Sequence, residues 1–301
     1  IRAHLNLNAR VYLSLDSDAA AKQYYDVAAT VCKEIMASYP TLHANYTDLF
    51  CADNDLMTDE IIFAVQSDPT NIQSWGNTTF LLMGSLTGND DVEASYQNLN
   101  KGGWGGINVT PTFIDKFDDN DARKLFWGEG CSTSTPKDLL DVADFKSGWH
   151  AHKYSNVNHD GSRSELINDF PYTDNPLFRS ADAYLMLAEA WLRGATTVSE
   201  ADAKAAWNAV RTRAGLAELS GNQYNLDEMI DERGRELYHE CWRGSDLIRF
   251  GLFTTADYLW TWKGGIYEGQ AVDSKYNLMP IPTNELNANS KLSQNNPGYA
   301  G

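Results

Sequence analysis

The segment Asn100-Lys-Gly-Gly-Trp-Gly-Gly-Ile-Asn-Val-Thr-Pro111 places one tryptophan, Trp104, between two pairs of glycines. Glycine frees the backbone but contributes no side chain to packing. Two interpretations compete: the indole folds inward and the glycines make room for it, or it stands outward as a flat surface for a ligand. Trp75, in Ser-Trp-Gly-Asn-Thr-Thr, combines an aromatic ring with glycine and small polar residues in the same way.

A short acidic stretch is the second place where side chains could do chemistry. Asp53 and Asp55, followed by Asp59 and Glu60, cluster hard oxygen donors of the kind that calcium prefers. The spacing does not match an EF-hand loop, and acidic loops are usually only solvated. We keep calcium at Asp53 and Asp55 as one interpretation and expect no required cofactor.

Composition excludes several classes of function. The 301 residues are 43% hydrophobic, enough for one large core or two ordinary ones, and the formal charge is −17. This charge repels nucleic acids, and no basic run offsets it. No stretch of about 18 apolar residues indicates a membrane span. The four cysteines show no C-x-x-C spacing, so neither a zinc site nor a redox site is expected.

Two helix pairs with similar patterns predict a mainly α-helical scaffold. In each pair, the second helix has small and large apolar residues at i, i+4, i+7 and i+11, which is one face of a helix. These residues are Ala20, Tyr24, Val27 and Val31 in the first pair, and Ala203, Trp207, Val210 and Ala214 in the second. The alternation resembles that of tetratricopeptide-type repeats, although any two amphipathic hairpins look alike.

A third helical region is predicted from Leu226 to Phe250. Arg233 interrupts its apolar stripe, and Glu236, Glu240 and Arg243 line a neighbouring face. So many charges beside apolar residues indicate a partly buried ion-pair network that fixes geometry rather than a catalytic group.

The segment between the helix pairs has a different character. It is dense in turn residues and carries short strand-like runs such as Glu60–Gln66, which indicates a long, irregular, loop-rich insertion of the kind that carries functional residues. We therefore divide a single domain into a helix pair (1–40), the insertion (41–175), a helix pair with the charged helix (176–255) and a C-terminal segment (256–301). Because Ile1–Leu13 looks like the middle of a helix, we interpret the chain as a piece of a longer protein.

Several segments in order resemble the SusD/RagB-like glycan-binding outer-membrane lipoproteins of Bacteroidetes. They are TDEIIFAVQSD (58–68), SWGNTTFL (74–81), GGWGGINVTPTFIDKF (102–117), ADAYLMLAEAWLRG (181–194), AWNAVRTRAGL (206–216), DERGRELYHECWRGSDLIRFGLF (231–253) and NLMPIPTNELNANSKLSQNNPGY (277–299). The departures are Gln-Asn-Asn-Pro, where the family more often has Gln-Asn-Pro, and the absence of the family's N-terminal part with its lipid-bearing cysteine.

The resemblance implies capture of a glycan rather than catalysis. It implies tetratricopeptide-like helix pairs, an anchor in the outer leaflet of the outer membrane with the protein facing outside, and a SusC-like TonB-dependent transporter as partner. It also implies that Trp104 and Trp75 form a sugar-facing surface, with the flanking glycines leaving the ring faces open and Asn77, Asn100 and Asn108 bonding to sugar hydroxyls. Trp149, Tyr96 and Tyr154 are weaker candidates.

The glycan expected from this resemblance is starch or a malto-oligosaccharide. Two rival functions stay open. One is a cell-surface glycoside hydrolase, which needs two suitably placed carboxylates. The other is a repeat scaffold that binds a protein or peptide on its concave helical surface.

Overall fold

The computed structural model describes residues 1–87, 98, 103–128, 132–165, 167 and 169–299. It is mainly helical with a few short strands, as predicted. The chain forms two compact units, Ile1–Arg243 and Gly244–Gly301. The four-part division made from the sequence stays a prediction.

The described helices are short except for four, which have 12 to 21 residues. In chain order they are α1 (Arg2–Leu7), α2 (Ala9–Tyr12), α3 (Asp18–Ser38), α4 (Asn77–Gly84), α5 (Pro111–Ile114), α6 (Ser180–Leu192), α7 (Glu200–Arg213), α8 (Leu226–Leu237), α9 (Arg243–Arg249) and α10 (Thr283–Ala288). The described strands are β1 (Ile61–Val65), β2 (Asn108–Val109), β3 (Phe126–Trp127), β4 (Trp149–Ala151) and β5 (Asn175–Arg179).

Helix α6 is the centre of the scaffold. Every residue from Ser180 to Ala190 is buried, and α6 packs against α3 on one side and α7 on the other. The side-chain hydroxyls of Ser17 and Ser199 cap α3 and α7 by accepting backbone hydrogen bonds in their first turns. A helix that is buried on every face needs neighbours that cover it, and α3 and α7 supply part of that cover.

The buried face of α3 lies one position away from the predicted one. Ala203, Trp207, Val210 and Ala214 of the second pair are buried as expected. In α3, the same spacing is filled instead by Ala21, Tyr25, Ala28 and Cys32, each 0% exposed. Of the four predicted residues, Val31 is buried, Tyr24 and Val27 are half-buried and Ala20 is exposed. The direction from which α6 packs against α3 decides which face is buried, and the apolar pattern does not reveal that direction.

The predicted third helix is broken. Helix α8 ends at Leu237 and α9 begins at Arg243, and between them His239 and Cys241 have φ angles of 59° and 66°. A left-handed backbone cannot continue an α-helix, so the chain turns here.

Two small antiparallel sheets organise the insertion. Strand β1, predicted from Glu60–Gln66, pairs with β5, and a three-stranded sheet has the order β2-β4-β3. An aromatic core that includes Phe117, Phe126 and Tyr238 packs beside the second sheet.

A cluster of fully buried ion pairs connects the insertion to the helices. We call it the buried ion-pair cluster; its members are Glu60, Asp121, Arg123, Lys153, Arg179, Arg213, Glu232, Glu236 and Glu240. Glu236 illustrates its role, since it contacts Arg123 of the insertion, Arg179 at the end of β5 and Arg213 of α7. The network predicted around Glu236 and Glu240 is therefore present, while Arg243 lies outside it and contacts Asp231.

Side chain to backbone hydrogen bonds help to hold the unit Gly244–Gly301 together. The ammonium of Lys263 donates to the carbonyl oxygens of Leu252, Thr255 and Tyr258 at 3.1, 2.6 and 2.8 Å. The side chain of Asn295 bonds both backbone groups of Ile281, which ties the Gln-Asn-Asn-Pro segment to the preceding Pro-Ile-Pro. Among the described residues, no helix has the length and apolar character needed to cross a bilayer.

Candidate functional site

Trp75 and Trp104 are brought together and left open to solvent. Their side chains are 56% and 40% exposed, their ring centroids lie 6.0 Å apart, and the two planes are inclined by 58°. Trp75 lies two residues before the start of α4, and the backbone N–H of Trp104 donates to the carbonyl of Met83 near the end of that helix at 2.9 Å. One helix therefore positions both indoles.

Two phenylalanine rings continue the surface. The Phe170 ring lies 4.9 Å from Trp75, and the Phe80 ring lies 6.4 Å from Trp104, each tilted against its neighbour. Phe80 is 49% exposed although most of α4 around it is buried. We call Trp75, Phe80, Trp104 and Phe170 the aromatic platform. Neither phenylalanine was predicted from the sequence. Phe170 is distant from Trp75 along the chain, and a local sequence pattern cannot indicate that their rings are neighbours.

The glycines beside Trp104 allow the loop to pack closely against the protein, in addition to leaving the ring accessible. A Cβ on Gly103 would overlap the carbonyl oxygen of Met83 and the side chain of Leu86. Gly105 and Gly106 have φ angles of 72° and 98°, and Phe145 packs against their backbone. The glycines therefore let the loop backbone pack closely against the protein, while the indole of Trp104 stays exposed. Each interpretation of this segment is correct in part: the glycines make room for packing, and the ring is open to solvent.

The predicted amide partners are engaged within the protein. Asn77 Oδ1 accepts a hydrogen bond from Asn175 Nδ2 at 2.8 Å, and Asn108 Nδ2 donates to the carbonyl of Ser147. Asn100 lies outside the described residues. The roles of these three residues in sugar binding stay predictions.

The two weaker aromatic candidates that the structure describes, Trp149 and Tyr154, are held by contacts within the protein. Trp149 is half-buried and its Nε1 donates to the carbonyl of Thr135 at 2.6 Å. Tyr154 is 3% exposed and packs edge-on against Phe50. Tyr96 lies outside the described residues.

Asp53, the first carboxylate of the acidic stretch, is hydrogen-bonded within the protein. Asp53 accepts hydrogen bonds from the backbone N–H of His159 at 2.8 Å and from Cys51 Sγ at 3.1 Å, and its other oxygen lies 2.7 Å from His159 Nδ1. Burial alone would raise the pKa of Asp53, but the hydrogen bonds from Cys51 and His159 outweigh it and lower that pKa. The pKa of His159 is raised by the same pairing.

Of the other three acidic residues in this stretch, two are paired within the protein and one is exposed. Asp55 is exposed, Asp59 pairs with His43, and Glu60 belongs to the buried ion-pair cluster. Within the described residues, no three or more His, Cys, Asp or Glu side chains gather as they would to hold a metal ion. Calcium at Asp53 and Asp55 stays a prediction.

Comparison with known proteins gives a consistent result. A model of the SusD family matches residues 128–299. The curated starch-binding protein SusD of Bacteroides thetaiotaomicron is 32% identical over 345 aligned residues, which cover 99% of this chain and 59% of that protein. The chain thus spans about three fifths of the length of this relative.

Solved structures share the fold. Surface glycan-binding protein A from Bacteroides thetaiotaomicron superimposes with a TM-score of 0.70 at 23% identity, covering 99% of this chain and 62% of that one. The same-named protein in complex with laminarihexaose gives a TM-score of 0.64 at 22% identity, covering 95% and 61%. Identities this low establish the fold alone. Together with the family match over more than half of its length, they show that this chain belongs to the SusD family.

Proposed function

We propose that this protein binds a polysaccharide on the aromatic platform and does not cleave it. The observation that carries the proposal is the exposure of Trp75 and Trp104 side by side, 6.0 Å apart. A sugar ring presents C–H patches on its faces and hydroxyls around its rim, so a flat indole covers the faces and leaves the hydroxyls free for polar groups.

The energetics require more than one ring. If each indole hides roughly 100 Å² of combined apolar surface, it contributes ~2.5 kcal/mol before costs. A millimolar site needs about 4 kcal/mol net, and association and ordering consume several kcal/mol. Two indoles contribute ~5 kcal/mol before costs, which falls short of a millimolar site once the costs are subtracted, so binding needs the other rings or polar contacts as well.

We propose starch or a malto-oligosaccharide as the ligand. The inclination of 58° between the indoles suits a curved chain better than a flat ribbon, because each tilted ring meets a differently oriented sugar. The relative at 32% identity is named for starch binding, whereas a more distant neighbour was solved with laminarihexaose, another glucan. The formal charge of −17 supports neutral over anionic glycans.

A retention assay tests this function. Native gels cast with starch, pullulan, dextran, xylan or mannan should slow the protein most strongly with starch. Reducing-sugar release should stay at the level of the blank, because binding alone breaks no glycosidic bond. Sustained turnover would favour the hydrolase alternative, and no retention by any glycan would favour the peptide-binding scaffold.

We also propose the setting in which binding takes place. The full-length protein would be lipid-anchored at the outer face of the outer membrane and would pass its glycan to a SusC-like TonB-dependent transporter. Membership of the SusD family and the name surface glycan-binding protein A, given to similar structures, support this. Isolation of the full-length protein from outer membranes in mild detergent should recover such a transporter with it.

A further inference from the structure

A cavity in the unit Ile1–Arg243 is lined by none of the four aromatic platform residues. It lies between the short helical turn Tyr46–Phe50 and the segment 152–159, and its volume is about 300 Å³. This volume is at the lower end of the range for small-molecule sites. Half-buried Leu125 and Val157 give the cavity aliphatic surface, and most of its other lining residues are polar. Its size and mixed lining are those of a site for a small polar ligand.

Two side chains of the lining keep an oxygen acceptor available to a ligand. In Asp48, Oδ2 lies 3.2 Å from His43 Nε2 and accepts a hydrogen bond from Asn45 Nδ2 at 3.1 Å. The other oxygen, Oδ1, has no hydrogen-bond partner within the described residues and is not sealed from solvent. Asn158 donates through Nδ2 to Ser162 Oγ at 3.0 Å, which leaves its Oδ1 available in the same way. A hydroxyl of a ligand in the cavity therefore finds two acceptors.

Three side chains of the lining keep a donor available. Thr47 is exposed, and its hydroxyl has no hydrogen-bond partner in the part of the chain that the structure describes. Ser155 Oγ accepts from the backbone N–H of Val157 at 3.2 Å, and among the described residues its own proton has no acceptor. His159 Nδ1 lies 2.7 Å from Asp53 Oδ2, and this pairing raises the pKa of His159. The ring, 43% exposed, therefore offers a second N–H at Nε2.

The charges at the cavity favour a neutral ligand. The ammonium of Lys153 is held by Glu240 Oε1 at 2.5 Å and has no accessible surface. Burial lowers the pKa of His152 to about 4, so that ring is neutral at pH 7. An anion in the cavity meets Asp48, and a cation meets protonated His159. The formal charge of −17 adds to the repulsion of anions.

We propose that this cavity is a second binding site, for one neutral monosaccharide. A sugar hydroxyl both donates and accepts, so it matches Asp48 and Asn158 as acceptors and Thr47, Ser155 and His159 as donors. The C–H groups of the sugar ring meet the aliphatic surface. The site is separate from the aromatic platform and does not rest on polysaccharide binding there. Because the apolar contact is small, we expect a dissociation constant in the millimolar range.

Titration of the isotope-labelled protein with D-glucose, followed by NMR, tests this site. The backbone amides of Thr47, Asp48 and residues 155–159 should shift and saturate. D-Glucuronate, which has the same ring and a negative charge, should bind at least about fivefold more weakly. The double variant Trp75→Ala/Trp104→Ala should give the same glucose titration as the wild type, because the platform takes no part.

Substitutions in the lining should weaken glucose binding. Asp48→Asn keeps the shape and removes the charged acceptor, and we expect about tenfold weaker binding. Thr47→Val removes one hydroxyl at an exposed position, and we expect about threefold weaker binding. Val157→Phe fills the cavity and should abolish binding. The melting temperature of each variant shows whether it is folded.

Two matched controls separate the cavity from its surroundings. Asp59 pairs with the same His43 as Asp48 does, at 3.0 Å, but does not line the cavity. Asp59→Asn therefore removes a carboxylate from that histidine without touching the site. Thr30→Val removes an exposed hydroxyl on α3. Both variants should bind glucose as the wild type does.

Each contrary result identifies what fails. A wild type without saturable shifts, or one that binds glucuronate as tightly as glucose, overturns the proposal. Wild-type affinity in folded Thr47→Val and Val157→Phe overturns it as well. Shifts confined to the amides of Trp75 and Trp104 overturn this site and leave the proposed function standing. Glucose binding in the cavity without retention of the protein in any glycan gel would support this site while the proposed function fails.

Discussion

Arg179 and Glu240 meet through two parallel hydrogen bonds, from Nε to Oε2 at 2.7 Å and from Nη2 to Oε1 at 2.8 Å, with neither side chain accessible to solvent beyond 1%. Arg179 ends β5, and Glu240 lies in the turn between α8 and α9. The same guanidinium contacts Glu60 and Glu236. One arginine therefore joins the insertion, and with it the aromatic platform, to the helical scaffold.

Replacing this arginine should destabilise the protein strongly. Arg179→Met removes the partner that Glu60, Glu236 and Glu240 share and leaves each of these buried carboxylates with fewer ion pairs, so we expect the free energy of unfolding in urea to fall by about 3–5 kcal/mol. Arg179→Lys should recover only part of the lost stability, because a lysine ammonium cannot form the two parallel hydrogen bonds that the guanidinium makes with Glu240. Lys22→Ala, which breaks an exposed pair with Asp26, should cost less than about 1 kcal/mol. A loss of stability in Lys22→Ala as large as that in Arg179→Met would contradict the role of Arg179.

Acid should weaken the fold through the same cluster. Burial alone would raise the pKa of Glu236, but Arg213, Arg179 and Arg123 outweigh it and lower the pKa to about 2, from 4.5 in the absence of these interactions. A depressed folded-state pKa contributes stability above the unfolded value that is lost as pH falls through the folded one. The urea midpoint should therefore decline from about pH 5 downward.

Glu236→Gln provides the control for this pH dependence. It should be less stable than the wild type at pH 7 and should lose less stability between pH 5 and pH 3, because one of the titrating carboxyls has been removed. A wild-type midpoint that is constant down to pH 3 would refute the assignment.

Gly103 should tolerate no side chain. In Gly103→Ala the new Cβ meets the Met83 carbonyl and Leu86, so the loop must lift away from α4. We expect a loss of about 1–3 kcal/mol, as for other overpacked sites, together with a shift in tryptophan fluorescence as Trp104 moves. Gly244→Ala, which meets nothing within 4 Å, is the matched control and should change stability little. Equal behaviour of the two variants would disprove the packing role.

Lys263 should hold the unit Gly244–Gly301 together. Lys263→Met removes the donor for three carbonyls, and each buried carbonyl left unsatisfied costs about 1–3 kcal/mol. Hydrogen exchange in residues 252–270 should accelerate markedly, whereas Lys291→Met, at an exposed position, should leave it unchanged. Normal protection in Lys263→Met would show that the carbonyls find other partners.

Local sequence patterns predicted the helix faces and strands that depend mainly on residue spacing. The buried face of α7 around Trp207 follows from residue spacing, and the strand Ile61–Val65 follows from a β-branched, apolar run. The shift of the α3 face to Tyr25 and the break after α8 did not follow. Both depend on which neighbour packs there and on backbone angles such as that of His239, which sequence periodicity does not encode.

The candidate site was accessible to sequence reasoning only in part. Trp75 and Trp104 stood out by their glycine-rich surroundings. Phe170 lies more than 60 residues further along the chain, and only the fold brings its ring beside Trp75. The arginines that hold Glu236 were missed for the same reason: Arg123 and Arg179 are distant in sequence and lie in segments without helical periodicity.

The central claim is that the exposed indoles of Trp75 and Trp104 bind the glycan, and calorimetric titration of alanine variants with malto-oligosaccharides tests it most directly. Each single variant should bind at least about tenfold more weakly, a loss of 1.4 kcal/mol or more, and the double variant should show no measurable binding. Phe63→Ala, another exposed aromatic position, should bind as the wild type does. A folded double variant with wild-type affinity would contradict the account.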